Sequence, residues 1–173
     1  MDVPEKAEFD EDEVTEESRI FAALLFARLP GFRRYAAMEQ IRDDEAWTLV
    51  VNVPAASGDR RAKLVIWLNN GYEPSVGFGG WHTHGGFWGD TEDIARSALI
   101  DLIEDILAER YVLCEDIGGK EDGWAELLDM SEEDVLLERL TRPKTPGRVR
   151  LRSWTGQLDR EVSLEDLERG TFA

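Results

Sequence analysis

Both histidines of the chain, His82 and His84, lie two residues apart in the stretch Val76-Gly77-Phe78-Gly79-Gly80-Trp81-His82-Thr83-His84-Gly85-Gly86-Phe87-Trp88. In an extended strand such residues project to one face, with Cβ atoms roughly 7 Å apart. Two neutral imidazoles so placed suit one zinc or iron ion once a further ligand completes the shell. The turn Asp90-Thr91-Glu92-Asp93 follows directly, and Asp90 heads the candidates for that ligand, ahead of Glu92 and Asp93. The same residues also have plainer uses. Asp90 or Thr91 caps the helix that begins here, Glu92 and Asp93 complement its dipole, and the glycines permit a tight corner. On that second reading no residue is catalytic and no cofactor is bound. Trp81, His82, His84, Trp88, Asp90, Glu92 and Asp93 are then a contact surface for a partner, with the tryptophans as anchors.

A second constellation is basic. Arg142, Lys144, Arg148, Arg150 and Arg152 cluster with no acid between them. Strand alternation puts Arg148, Arg150, Arg152 and Trp154 on one face. Such a strip clamps a carboxylate or other anion, or it pairs with acids of the same chain. The abundance of carboxylates favours internal pairing. No Walker-type loop, dinucleotide fingerprint or Gly-x-Ser-x-Gly elbow is present. Gly77-Phe78-Gly79-Gly80 leads into a strand rather than a helix, so it is no phosphate cradle.

Charge narrows the partners. Against 20 Lys and Arg stand 37 Asp and Glu, a net of −17. That field opposes binding to nucleic acid or anionic membranes and favours cationic proteins. The N-terminus, Met1-Asp2-Val3-Pro4-Glu5, lacks the basic and apolar regions of a secretory signal, and no apolar run is long enough to span a bilayer. Cys114 is the one cysteine. It sits in the apolar run Tyr111 to Cys114 and reads as a small buried thiol. A cytoplasmic location is expected.

The elements that must position these residues follow from pattern. Residues 1–13 are a charge run expected to be a mobile acidic arm, and 14–173 a single domain. A helix over 15–29 has Ile20, Phe21, Leu24, Leu25 and Leu29 at helical spacing, ends at Pro30-Gly31 and covers a sheet face. Strands are expected at 47–53, 64–68 and from Ser75, forming a meander. Residues 35–41 read as either a short strand or a helical extension. A long amphipathic helix covers 91–109 and a strand Tyr111 to Glu115 follows. Ser131 is expected to cap a helix to 140. A hairpin covers 148–162, and Ser163 caps a last short helix. The fold class is α+β, with an antiparallel meander of about five or six strands and helices on one side.

Two resemblances attach to these motifs. Gly80-Trp81-His82-Thr83-His84 after an apolar strand resembles the core of JAMM-type zinc peptidases, in which a His-x-His pair and a later acid hold zinc. Here Gly85 stands where a proline is usual and the downstream serine and aspartate spacing is absent. A longer stretch, about 64–116, resembles small acidic bacterial immunity proteins of polymorphic toxin systems. It carries Val76-Gly77-Phe78-Gly79, Trp81-His82-Thr83-His84, Asp90 to Asp93, Ala95 to Leu107 and Tyr111 to Cys114. That likeness implies a non-enzymatic, antitoxin-like protein neutralising a basic protein partner. The alternative is a metal-dependent hydrolase centred on His82 and His84.

Overall fold

The computed structural model describes residues 6–40, 47–69, 73–85, 90–117, 125–132, 134–141 and 147–169. The architecture is α+β with two sheets. The first has six strands in sequence order: β1 (Lys6–Glu8), β2 (Ala36–Glu39), β3 (Thr48–Val53), β4 (Leu64–Asn69), β5 (Glu73–Phe78) and β6 (Trp81–His84). This is the expected meander. The second has four strands, β7 (Tyr111–Asp116), β8 (Ala125–Asp129), β9 (Arg148–Arg152) and β10 (Arg160–Ser163), in the order β10-β9-β7-β8. Packing concentrates in two compact units. One comprises residues 1–53, 64–77 and 82–103, the other 54–63, 78–81 and 104–173.

In the first unit, helix α1 (Glu16–Arg28) starts at Thr15, whose hydroxyl accepts from the Ser18 amide at 3.2 Å. Acids fill its first turn and the chain leaves at Pro30 into a 3-10 turn, Pro30–Tyr35. The segment read as ambiguous becomes β2, with Ala36 opposite Val51 and Glu39 opposite Thr48 on β3. Part of the expected arm is also strand. Lys6–Glu8 pairs antiparallel with β2, Lys6 opposite Glu39. Backbone hydrogen bonding to an available edge thus orders a stretch that has little to bury. Residues 1–5 lie outside the described residues.

Helix α1 packs on β3. Phe21 and Leu25 are buried, whereas Ile20 and Leu24 are 39% and 41% exposed. The helix covers a sheet face, as expected, with only part of its apolar set. Neighbours in sequence are about 100° apart around a helix, so one flat sheet covers Phe21 and Leu25 and leaves Ile20 and Leu24 outside. Helix α2 (Glu92–Leu107) starts after Thr91, whose hydroxyl accepts from the Ile94 amide at 3.4 Å. It buries Leu99, Ile100, Ile103 and Ile106.

In the second unit Val112, Cys114, Leu128, Leu136, Leu140, Val149, Leu151 and Val162 form one core. Cys114 is fully buried there, as its apolar neighbours require. The hairpin of β9 and β10 pairs Leu151 with Arg160 and Arg148 with Ser163. The closing helix α4 (Leu164–Glu168) has a reciprocal cap. Ser163 Oγ accepts from the Asp166 amide at 3.2 Å, and Asp166 accepts from the Ser163 amide at 2.9 Å.

Helix α3 begins later than its cap signal implies, spanning Val135–Thr141. Asp129 takes the Ser131 amide at 2.9 Å and its hydroxyl at 2.6 Å, so Ser131 belongs to a turn. Those bonds, with Arg110 at 3.1 Å, hold the Asp129 carboxyl down at about 2. Asp134 has φ +62°, which no helix allows, and the helix starts after it. Strand β8 was not foreseen. It pairs along β7, from Tyr111 opposite Asp129 to Glu115 opposite Ala125.

Ser18 ties α1 to the first sheet. Its fully buried hydroxyl accepts from the Leu49 amide of β3 at 3.2 Å and from the Thr15 hydroxyl at 3.0 Å. Ser18→Ala leaves the Leu49 amide without that acceptor and should cost roughly 1–3 kcal/mol. Denaturant unfolding beside the exposed-site control Arg19→Ala, expected to lie within about 0.5 kcal/mol of the parent, checks this.

Candidate functional site

The imidazole pair stands on β6, joined to β5 by the two-residue turn Gly79-Gly80. Gly79 has φ +58°, and a Cβ there would collide with the Arg61 carbonyl and the Leu113 side chain. The tight corner therefore requires glycine. The turn sets Ser75 of β5 against His84, and the Ser75 hydroxyl hydrogen-bonds Nδ1 of His84 at 2.8 Å. Ser75 is fully buried. It orients the ring and is shut away from any substrate, so a serine-histidine acyl-transfer pair is not formed. Gly85 comes next and is buried. A Cβ there would stand 3.3 Å from Pro74, a tight contact that a larger residue would have to relieve by a small shift.

His82 is exposed, while Trp81 and His84 are half-buried. The two imidazoles meet edge to face, with ring centroids 5.3 Å apart and planes at 73°. Two donors are thus on one face, as the alternation requires. The acids after them do something else. Glu92 and Asp93 point to Arg96, whose guanidinium donates to Glu92 at 2.6 Å and to Asp93 at 3.2 Å. Arg96 is itself only 5% exposed. A buried guanidinium needs countercharge, and the first turn of α2 supplies it. Asp90 is exposed. Among the described residues no group of three or more His, Cys, Asp and Glu could hold a metal ion. Trp88 lies outside the described residues, as do Gly86, Phe87 and Gly89.

The arginine strip is paired within its own unit. Arg150 reaches Glu161 at 2.6 Å, and Arg148 pairs with the same carboxylate. Those two hydrogen bonds, Arg150 first, hold the Glu161 carboxyl below the usual range. Arg152, on β9, contacts Glu115 at 2.8 Å and pairs with Asp59. Arg142 and Lys144 lie outside the described residues. Among the described members, Arg148, Arg150 and Arg152 are matched by Glu161, Glu115 and Asp59 and so offer no ready anion clamp.

What the sequence did not single out is an apolar groove between α1 and α2. It encloses about 520 Å³ and is lined by Ile20, Ala23, Leu24, Arg28, Asp93, Ser97 and Ile100. Arg28 of its lining bonds Asp101 of α2 at 2.6 Å. Ile94 of α2 is 54% exposed. The signal was present, since an α1 apolar around most of its circumference leaves one stripe over after packing. Comparison with known proteins gives no match to this chain among family models, curated proteins or solved structures.

Metal analysis separates the two uses of the histidines. Protein purified without a nickel column should carry well under one equivalent of zinc or iron. An equivalent that disappears in His82→Ala/His84→Ala would make the pair a metal centre.

Proposed function

We propose that this chain is a non-enzymatic binding protein of immunity or antitoxin type, which neutralises a basic protein partner through its acidic surface. The observation that carries this reading is the uneven fate of its charges. The net charge is −17. Several arginines are taken up in internal pairs: Arg28 with Asp101, Arg33 with Glu11, Arg96 with Glu92 and Asp93, and Arg110 with Asp129. Arg139, 5% exposed at its side chain, pairs with Asp116, which is 4% exposed at its own. Meanwhile Glu8, Asp12, Glu13 and Glu16 are exposed, and with half-buried Glu17 they make no ion pair among the described residues. Exposed Arg19, Arg34, Arg60, Arg61 and Lys63 also make no ion pair among the described residues, but they do not offset the acidic excess of the chain. That net negative field raises the local concentration of cations and speeds their encounter.

The tryptophan and histidine corner supports the same reading in a secondary way. His82 is exposed and Trp81 half-buried beside it. Aromatic rings with one accessible edge serve as anchors in interfaces. No helix among the described residues is long and apolar enough to cross a membrane.

The tagged full chain, incubated with lysate of its source cell at low salt and eluted with a salt gradient, tests the proposal. Mass spectrometry should identify a basic protein that elutes within a few hundred millimolar salt, in keeping with Debye screening over about 8–10 Å. Retention of only neutral or acidic proteins, or of none, would remove the reading.

A further inference from the structure

We propose that the groove between α1 and α2 is the docking site for a cationic amphipathic helix of the partner. This inference rests on the acidic-surface reading and adds to it a place and a shape.

Three observations converge. The first is the exposed stripe of α1. Ile20, Ala23, Leu24 and Ala27 are all exposed, at positions i, i+3, i+4 and i+7 of one face. Phe21, Ala22, Leu25 and Phe26 supply the buried face of the same helix. A helix apolar on both faces normally has both covered. The second is shape. The groove is a trough of about 520 Å³ with Ser97 and Ile100 of α2 as its other wall. The 13 residues of α1 make it roughly 20 Å long, the length of a short helix. Helix-in-groove recognition reads such a stripe through anchors at the same spacing.

The third observation is charge, and it selects the occupant. Along the stripe of Ile20 and Leu24, one turn earlier, stand Glu16 and Glu17, with Glu13 just before the helix. None of the three forms an ion pair among the described residues, and the exposed Arg19 of the same turn, also without one, leaves the cluster at three acids to one base. Asp93 lines the groove with its side chain 90% exposed, while one of its oxygens accepts from Arg96 at 3.2 Å. The lining cation, Arg28, is already held by Asp101 at 2.6 Å. An apolar floor with an acidic rim complements a helix carrying leucines on one face and lysines or arginines beside them. A second copy of this chain fits badly, because it would bring the same acids and another −17 face to face.

The test uses the full chain and two synthetic peptides of about 18 residues with identical Leu and Lys content. One places leucines at i, i+3, i+4 and i+7, and the other scrambles them. The amphipathic peptide should bind at least tenfold more tightly by fluorescence anisotropy and shift the amide resonances of Ile20, Ala23, Leu24 and Ser97. Ile20→Ser/Leu24→Ser, which alters exposed side chains, should weaken it at least tenfold, leave the scrambled peptide unaffected and preserve the circular dichroism melt. The resonance map on the parent protein decides the matter should that variant unfold. Equal binding of both peptides would overturn the groove proposal and leave the acidic-surface reading standing. No binding of either peptide would count against both. A dimer in sedimentation that dissociates on Ile20→Ser/Leu24→Ser would give the groove to a second copy and overturn the proposal.

Discussion

Electrostatic self-repulsion is the constraint to which this chain is fitted. A net charge of −17 works against compaction, because carboxylates brought close raise one another's cost of ionisation. The structure meets it by placing arginines where acids would be least tolerable. Arg139 lies with Asp116 inside the second unit, each nearly sealed from water. Arg152 on β9 stands with Glu115 of β7 and with Asp59. In the first unit Arg96 is buried with two acids of its own first turn. Such pairs contribute little stability against an apolar replacement, yet removing one member leaves a buried charge unanswered. These buried arginines are therefore structural, and the surface presents the acids left over together with a smaller number of exposed bases such as Arg19 and Arg34.

This distribution changes the meaning of both sequence constellations. The strip of arginines looks like an anion clamp until Glu161, Glu115 and Asp59 are seen to occupy it. In the His-x-His corner, Glu92 and Asp93, two of the acids that could close a metal site, are engaged by Arg96, and the Nδ1 of His84 is engaged by Ser75. In both places a local pattern is answered by partners that the local pattern does not contain. The groove between α1 and α2 is the reverse case, a plain apolar stripe that gains interest because Ile20 and Leu24 stay exposed on it.

Much of the fold was legible because its signals are short in range. Thr15, the first-turn acids and Pro30 bracket α1 within one or two residues, and the reciprocal Ser163-Asp166 cap marks α4. Alternation from Val149 to Arg152 and the turn beyond it announce the β9-β10 hairpin. What escaped depends on distant partners. Strand β8, Ala125–Asp129, has no β-branched residue and exists because β7 offers it an edge. Lys6–Glu8 is a strand for the same reason at β2. Ser131 has the look of a cap, but Asp129 two residues earlier captures it. Which of Ile20, Phe21, Leu24 and Leu25 face inward depends on where the sheet lies, and periodicity alone does not say. For the candidate site, the corner and the placing of His82 and His84 on one strand were readable. The ion pair between Arg152 and Asp59, 93 positions apart, was not.

The account stands on the claim that unneutralised carboxylates around the start of α1 are what a basic partner engages. Affinity of the captured partner for the parent chain and for Glu13→Gln/Glu16→Gln/Glu17→Gln, measured across a range of salt concentrations, tests that claim most directly. Binding should weaken severalfold in the variant at low salt, and its salt dependence should become shallower, since fewer ionic contacts remain to be screened. An unchanged affinity and an unchanged salt slope would contradict the account.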